Sequence, residues 1–213
     1  MSDVTEMTTE QHVTRAMELL DAVGAVDVEH PSGTLLEHLR GTYDTLASWG
    51  CPEHLCLAGL YHSVYGTEVF QRETIPLDAR SQVRDAIGER AEELAFLYCA
   101  IRRSSLYDNL REGAPHEVQD RSGQSIPLRD LDQFADLLTL DVANRIEQVD
   151  RVGTSATRRA TDRALYERAV PLLPARAVAE LRRALPAMSA PELVARKAVR
   201  RARRLAGRLR RQG

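Results

Sequence analysis

Three polar side chains stand on helix faces that are otherwise apolar. On a predicted helix running to about residue 48, Leu35, Leu39, Tyr43 and Leu46 form the apolar stripe, and His38 falls inside it. His62 ends the apolar run Ala58-Gly59-Leu60-Tyr61. On a long helix opening at Pro127, Leu131, Phe134, Leu138, Val142 and Ile146 make the stripe, and Asp141 lies within it. A buried carboxylate needs a cation or several donors, because leaving it unpaired costs several kcal/mol. Taken singly, each of the three reads as a satisfied core residue. Taken together, two neutral imidazoles and one carboxylate converging in a helical core are what a divalent metal requires, so a shared metal site is the expectation.

Helices must carry these groups. Helical periodicity covers residues 9–23, the stretch to about 48 after a linker at 25–33, and 52–64, 78–87 and 89–102. It resumes from Pro127 to about 149 and again over 158–170, 175–185 and 190–209. The segment 116–127, with Val118, a Ser122-Gly123 turn and Ile126, reads as a small hairpin or an ordered loop. No βαβ alternation, internal repeat or glycine-rich phosphate loop is present. The predicted fold is all-α: a core over residues 1–150 and a helical extension over 151–213.

The 213 residues, 43% hydrophobic, suffice for one good-sized core and exclude a disordered chain. No apolar run approaches the roughly 18 residues needed to cross a bilayer. A polar, acidic start without the pattern of an export signal, and an odd three cysteines, point to a reducing cytoplasm. Cys51, His54 and Cys56 lack a second pair to complete a zinc site. The net charge of -2 hides a division, since residues 196–213 hold nine of the 29 basic residues and none of the 31 acidic ones. That end reads as a basic amphipathic helix, either a solvated face or a weak membrane-surface contact. With no aromatic after Tyr166 to stack on bases, nucleic acid is not the expected partner. A homo-oligomer is left open.

His38, the run Leu57-Ala58-Gly59-Leu60-Tyr61-His62-Ser63 and the later Leu140-Asp141-Val142-Ala143-Asn144 resemble the three motifs of the HD-domain superfamily of metal-dependent phosphohydrolases. Within it the nearest look is to the alarmone hydrolases. Gly33-Thr34-Leu35-Leu36-Glu37-His38 is similar to the stretch before their first His. His62-Ser63-Val64-Tyr65-Gly66-Thr67-Glu68 stands where they carry His-Asp and an acidic pair. The resemblance covers about residues 30–150 and implies an HD-like helical bundle. Ser63 replaces the defining Asp, and Tyr65-Gly66 replaces the acidic pair.

That resemblance implies a hydrolase of a phosphorylated or nucleotide-like small molecule. A divalent metal (Mn, Fe or Zn) would be held by His38, His62 and Asp141, with His30 as a substitute ligand. Of the catalytic pair, Glu68 would orient the attacking water and Ser63 would bind the metal weakly or through water; Arg40, Arg102 and Arg103 would bind phosphate, and Tyr65 would stack on a base or cover the pocket. Two alternatives accompany it. Two histidines and a carboxylate also suit a non-haem iron oxygenase, as in the superfamily's myo-inositol oxygenase. A chain lacking the central Asp also fits a catalytically inactive binding protein.

Overall fold

The structure, a computed structural model, describes residues 8–31, 33–112 and 117–187. The expected basic helix over 190–209 lies outside them. The described chain is mostly helical, in the order α1 (Thr9–Ala22), β1 (Glu29–His30), β2 (Gly33–Thr34), α2 (Leu35–Ser48), α3 (Glu53–Tyr61), α4 (Arg80–Ile87), α5 (Glu89–Ala100), α6 (Arg103–Glu112), β3 (Glu117–Gln119), β4 (Ser125–Pro127), α7 (Leu131–Arg151), α8 (Ala156–Tyr166) and α9 (Ala175–Ala184). The two antiparallel strand pairs, β1 with β2 and β3 with β4, are short. None of the described helices is long and apolar enough to cross a membrane.

Local chemistry fixes where the key helices begin. Thr34 accepts from the Glu37 amide while the Glu37 carboxylate accepts from the Thr34 amide, a reciprocal cap that starts α2 one turn before His38. Asp130 caps α7 by accepting from the Gln133 amide, and Ser155 caps α8 by accepting from the Arg158 amide. Pro127 therefore does not open α7; it closes β4.

The helix at the centre is α3, whose residues Leu55 to Tyr61 are all buried. It packs against α2 and α5, with α7 behind them. Gly59 permits the closest approach: a Cβ there would stand 2.5 Å from Leu46 Cδ1. The chain leaves the helix after Tyr61, so His62 sits at its C-terminal edge, and the helix stops short of the end near Val64 that the periodicity suggested. Gly66, at φ 72°, turns the following loop back so that the amides of Thr74 and Ile75 donate to the Val64 carbonyl.

Two further departures from expectation have local causes. Helix α6 was not anticipated, because Ser104, Ser105, Asp108 and Asn109 are weak helix formers. It is held from outside: Glu68 accepts from the Arg103 amide, Ser105 Oγ accepts from the Gln119 amide, and Asn109 donates to the Glu117 carbonyl. The boundary expected at residue 150 is not a seam in packing. Tyr166, Ala169, Leu173, Ala177 and Leu181 belong to the same apolar core as α2, α3 and α7. Trp49 Nε1 also donates to Glu180 at 2.6 Å, tying α2 to α9.

The contact at Gly59 makes a direct prediction. Gly59→Val should cost about 1–3 kcal/mol by overpacking against Leu46, read as a lowered urea midpoint with an unchanged slope. An unchanged midpoint would mean that α2 and α3 do not meet there.

Candidate functional site

A cavity of about 300 Å³ opens between the loop 62–70 and helices α2, α6, α7 and α8. His30, His38, His62, Ser63, Arg103 and Asp141 all line it, so six of the residues singled out in the sequence share one pocket. The others do not. Arg40 is exposed on α2 and Arg102 is half-buried beside the β3–β4 hairpin, and neither lines the cavity. Tyr65 is buried but points elsewhere, donating to Glu92. Glu92 in turn is held by Arg80 at 2.6 and 2.8 Å, a buried ion pair that ties α4 to α5. Tyr65 therefore neither stacks on a ligand nor covers the pocket. Glu68 is spent on the α6 amide at Arg103, so its carboxylate is not directed at a water in the cavity.

The two histidines are linked. His38 Nε2 lies 3.0 Å from His62 Nε2, His38 Nδ1 lies 2.5 Å from Glu147 Oε2, and His62 Nδ1 lies 2.7 Å from the Gly59 carbonyl. A carbonyl only accepts, so His62 carries its proton on Nδ1 and offers a lone pair at Nε2. His38 then donates from Nε2, which leaves Nδ1 to accept from Glu147. The tautomers follow from what each neighbour is able to give or take.

Electrostatics agree with this order. Burial, the largest cause, lowers His38 to about 4, with the Arg151 charge adding to it. Burial likewise holds His62 well below the usual histidine value. Burial raises Glu147 to about 7, against the opposing pull of Arg151. Two neutral imidazoles and a protonated carboxyl form one directed file: Glu147 to His38, His38 to His62, His62 to Gly59. Gly41 makes room for it, since a Cβ there would meet Glu147 Cγ at 2.9 Å.

Asp141 has a different occupation. Its Oδ1 accepts from Tyr98 Oη at 2.9 Å and Arg103 Nη1 at 2.6 Å; its Oδ2 accepts from Tyr107 Oη and Tyr166 Oη, both at 2.7 Å. Four donors use about all the lone-pair directions a carboxylate has. Asn144 donates to the Tyr98 oxygen from one turn further along α7. The buried carboxylate thus has the cation and the donors its position demands, and both come from the protein.

The fit to a metal can be judged from these donors. Two imidazole Nε2 atoms 3.0 Å apart suit adjacent positions on one ion, with bonds of about 2.1 Å. The remaining candidates do not join them. Asp141 is saturated, and His30 is stacked on His38 with centroids 4.1 Å apart and planes 7° from parallel. Ring lone pairs lie in the ring plane, so two parallel imidazoles 4 Å apart cannot both point at one ion. Among the described residues no three His, Cys, Asp or Glu side chains gather to hold a metal. The donor set does not fit the expected ion. Cys51 and Cys56 hold no such set either, and burial pushes their thiols up to about 11 and about 12.

Several pocket residues were not singled out from the sequence. Gln148 is one: with Asp141 and with Asn144 and Arg145, which the sequence placed beside Asp141, it completes an i, i+3, i+4, i+7 polar stripe on α7 that was readable there. Glu147 and the tyrosines on Asp141 had no such signal, because their roles arise from contacts across the fold. Ser63 Oγ is buried, lines the cavity and has no hydrogen-bond partner among the described residues.

Residues 19–103 of the chain are similar to a family model described as a domain of unknown function, DUF6817. The matched stretch carries His30, His38, His62, Ser63 and Arg103 and stops before α7 and α8. No curated protein and no solved structure matches the chain.

Because Asp141 pairs with Arg103 and three phenols, Asp141→Asn should cost about 3–5 kcal/mol of folding stability by leaving a buried guanidinium unpaired. Chemical unfolding in the presence and absence of chelator measures it. A loss seen only with metal present would show that Asp141 is a ligand after all.

Proposed function

We propose that the chain is an HD-like hydrolase of a small phosphorylated or nucleotide-like molecule, working by acid–base chemistry at the His38–His62 pair. The HD-like reading is supported by the order of the parts: a first His on α2, a second at the end of the apolar α3, and a later polar helix, α7, closing the same pocket. The observation that carries the reaction is the file from Glu147 through His38 to His62 at the wall of a cavity.

A water or ligand oxygen that enters between the rings meets an acceptor, His62 Nε2, beside a donor, His38 Nε2–H. His62 takes a proton from the attacking water. His38 gives one to the departing oxygen and is resupplied at Nδ1 by Glu147, whose value near 7 suits exchange in either direction at neutral pH. The Gly59 carbonyl steadies the charge that His62 acquires. Passage of the new Nε2 proton of His62 to His38 Nε2, and of the His38 Nδ1 proton back to Glu147, restores the file.

A second reading is favoured by two specific observations: Ser63 stands in place of the superfamily's Asp, and Asp141 is closed by four donors. On that reading the same pocket binds its ligand without turnover. The oxygenase expectation depends on the ligand set that does not gather among the described residues and has no separate geometric support.

Phosphate release from a panel of nucleotides and sugar phosphates separates the two. The hydrolase reading expects turnover that falls about 10²–10⁴-fold in His62→Gln and in Glu147→Gln, with both variants folded. Saturable ligand binding without phosphate release by the unmodified chain would establish the binding reading instead.

A further inference from the structure

The cavity is finished by a helix outside the stretch that matches the family model. Helix α8 supplies Arg158, Asp162, Leu165 and Tyr166 to its wall, and α7 supplies Arg145 beside them. Asp162, itself buried, holds both guanidiniums: Arg145 at 2.6 Å and Arg158 at 2.9 Å. Two arginines on one carboxylate leave one positive charge uncompensated. Arg103, the third arginine of the lining, is matched by Asp141, and the lining imidazoles are neutral. The wall as a whole therefore carries a single net positive charge.

Two other observations point to an occupant. Ser63 Oγ, on a residue only 3% exposed, lines the same cavity with no partner among the described residues, a donor awaiting an acceptor. Pro31, Val69, Phe70 and Leu165 contribute an apolar part, and Val69 is 83% exposed in the loop beside the opening. An exposed apolar side chain at a pocket mouth gains by covering something apolar.

We propose that Arg145 and Arg158, positioned by Asp162, are the specificity residues of this pocket and recognise one oxyanion of a small molecule whose remaining body is apolar or aromatic. Guanidinium pairs bind phosphate and carboxylate through charge-assisted, paired hydrogen bonds. Asp162 keeps the two guanidiniums apart and in place and limits the excess charge to one, which disfavours polyanions. The inference rests on the reading of this cavity as a ligand site; it does not depend on turnover there.

Two non-hydrolysable aromatic probes test it by calorimetry on the full chain: phenylphosphonate and benzoate, with benzyl alcohol as the neutral control. At least one anion should bind saturably and benzyl alcohol at least tenfold more weakly. Preference for the phosphonate identifies a phosphate ester as the ligand class, and preference for benzoate a carboxylate. Arg158→Gln, on a side chain 66% exposed and so tolerated by the fold, should weaken the preferred anion about tenfold or more. Equal binding of the neutral control, no saturable binding of either anion, or an unchanged dissociation constant in Arg158→Gln would overturn the proposal. Turnover lost in His62→Gln with anion binding intact leaves the proposal standing. Turnover retained with unchanged affinity in Arg158→Gln sinks it while sparing the hydrolase reading.

Discussion

A carboxylate taken out of water must be met by donors, and Asp141 is met by four from three other helices. Tyr98 reaches it from α5, Arg103 and Tyr107 from α6, and Tyr166 from α8. The cost of burying one charge thereby fixes the positions of three helices against α7. Much of the pocket follows from that arrangement. Helix α6, weak by its own sequence, is anchored where Arg103 and Tyr107 meet Asp141, and α8 is anchored where Tyr166 does. The same contacts bring Arg158 and Asp162 to the cavity wall.

With Asp141 occupied, the histidines are left to each other. Neither ring has a free nitrogen: His62 is pinned by the Gly59 carbonyl, and His38 by Glu147. Burial makes this arrangement self-consistent, because it disfavours the charged form of all three groups. It lowers the histidines and raises the glutamate to about 7, so that a neutral, proton-sharing file is the stable state below that pH and above the histidine values. Such a file holds a donor and an acceptor side by side in a dry wall, the element acid–base chemistry needs. Gly41 and Gly59 matter here for lack of a side chain: one admits Glu147 against α2, the other lets α3 approach it.

Much of this was legible in the residues, and the rest was illegible for physical reasons. The apolar stripes around His38 and Asp141 identified their helices and their burial, because a period of 3.6 leaves few alternatives for a long amphipathic segment. The convergence of His38, His62 and Asp141 on one cavity followed from that burial. What Asp141 binds did not, since a buried carboxylate looks the same in sequence whether a cation or four protein donors satisfy it. Tyr166 is 25 positions away, and its role comes from a turn at 152–155 whose direction no periodicity encodes. Helix α6 was hidden because its stability comes from contacts with Glu68 and with the β3–β4 hairpin, not from helix propensity. Tyr65 illustrates the converse: a motif position suggested a pocket role, while packing turned its hydroxyl to Glu92.

The directed file of hydrogen bonds from Glu147 to Gly59 is the claim on which the functional account stands. Long-range proton–nitrogen correlation spectra of histidine-labelled protein at about pH 6, between the His38 and Glu147 values, read the tautomers of both rings. The account predicts His38 protonated at Nε2 and His62 protonated at Nδ1, both neutral. Two rings protonated only at Nδ1, with both Nε2 lone pairs facing one another, or a charged His62, would contradict it.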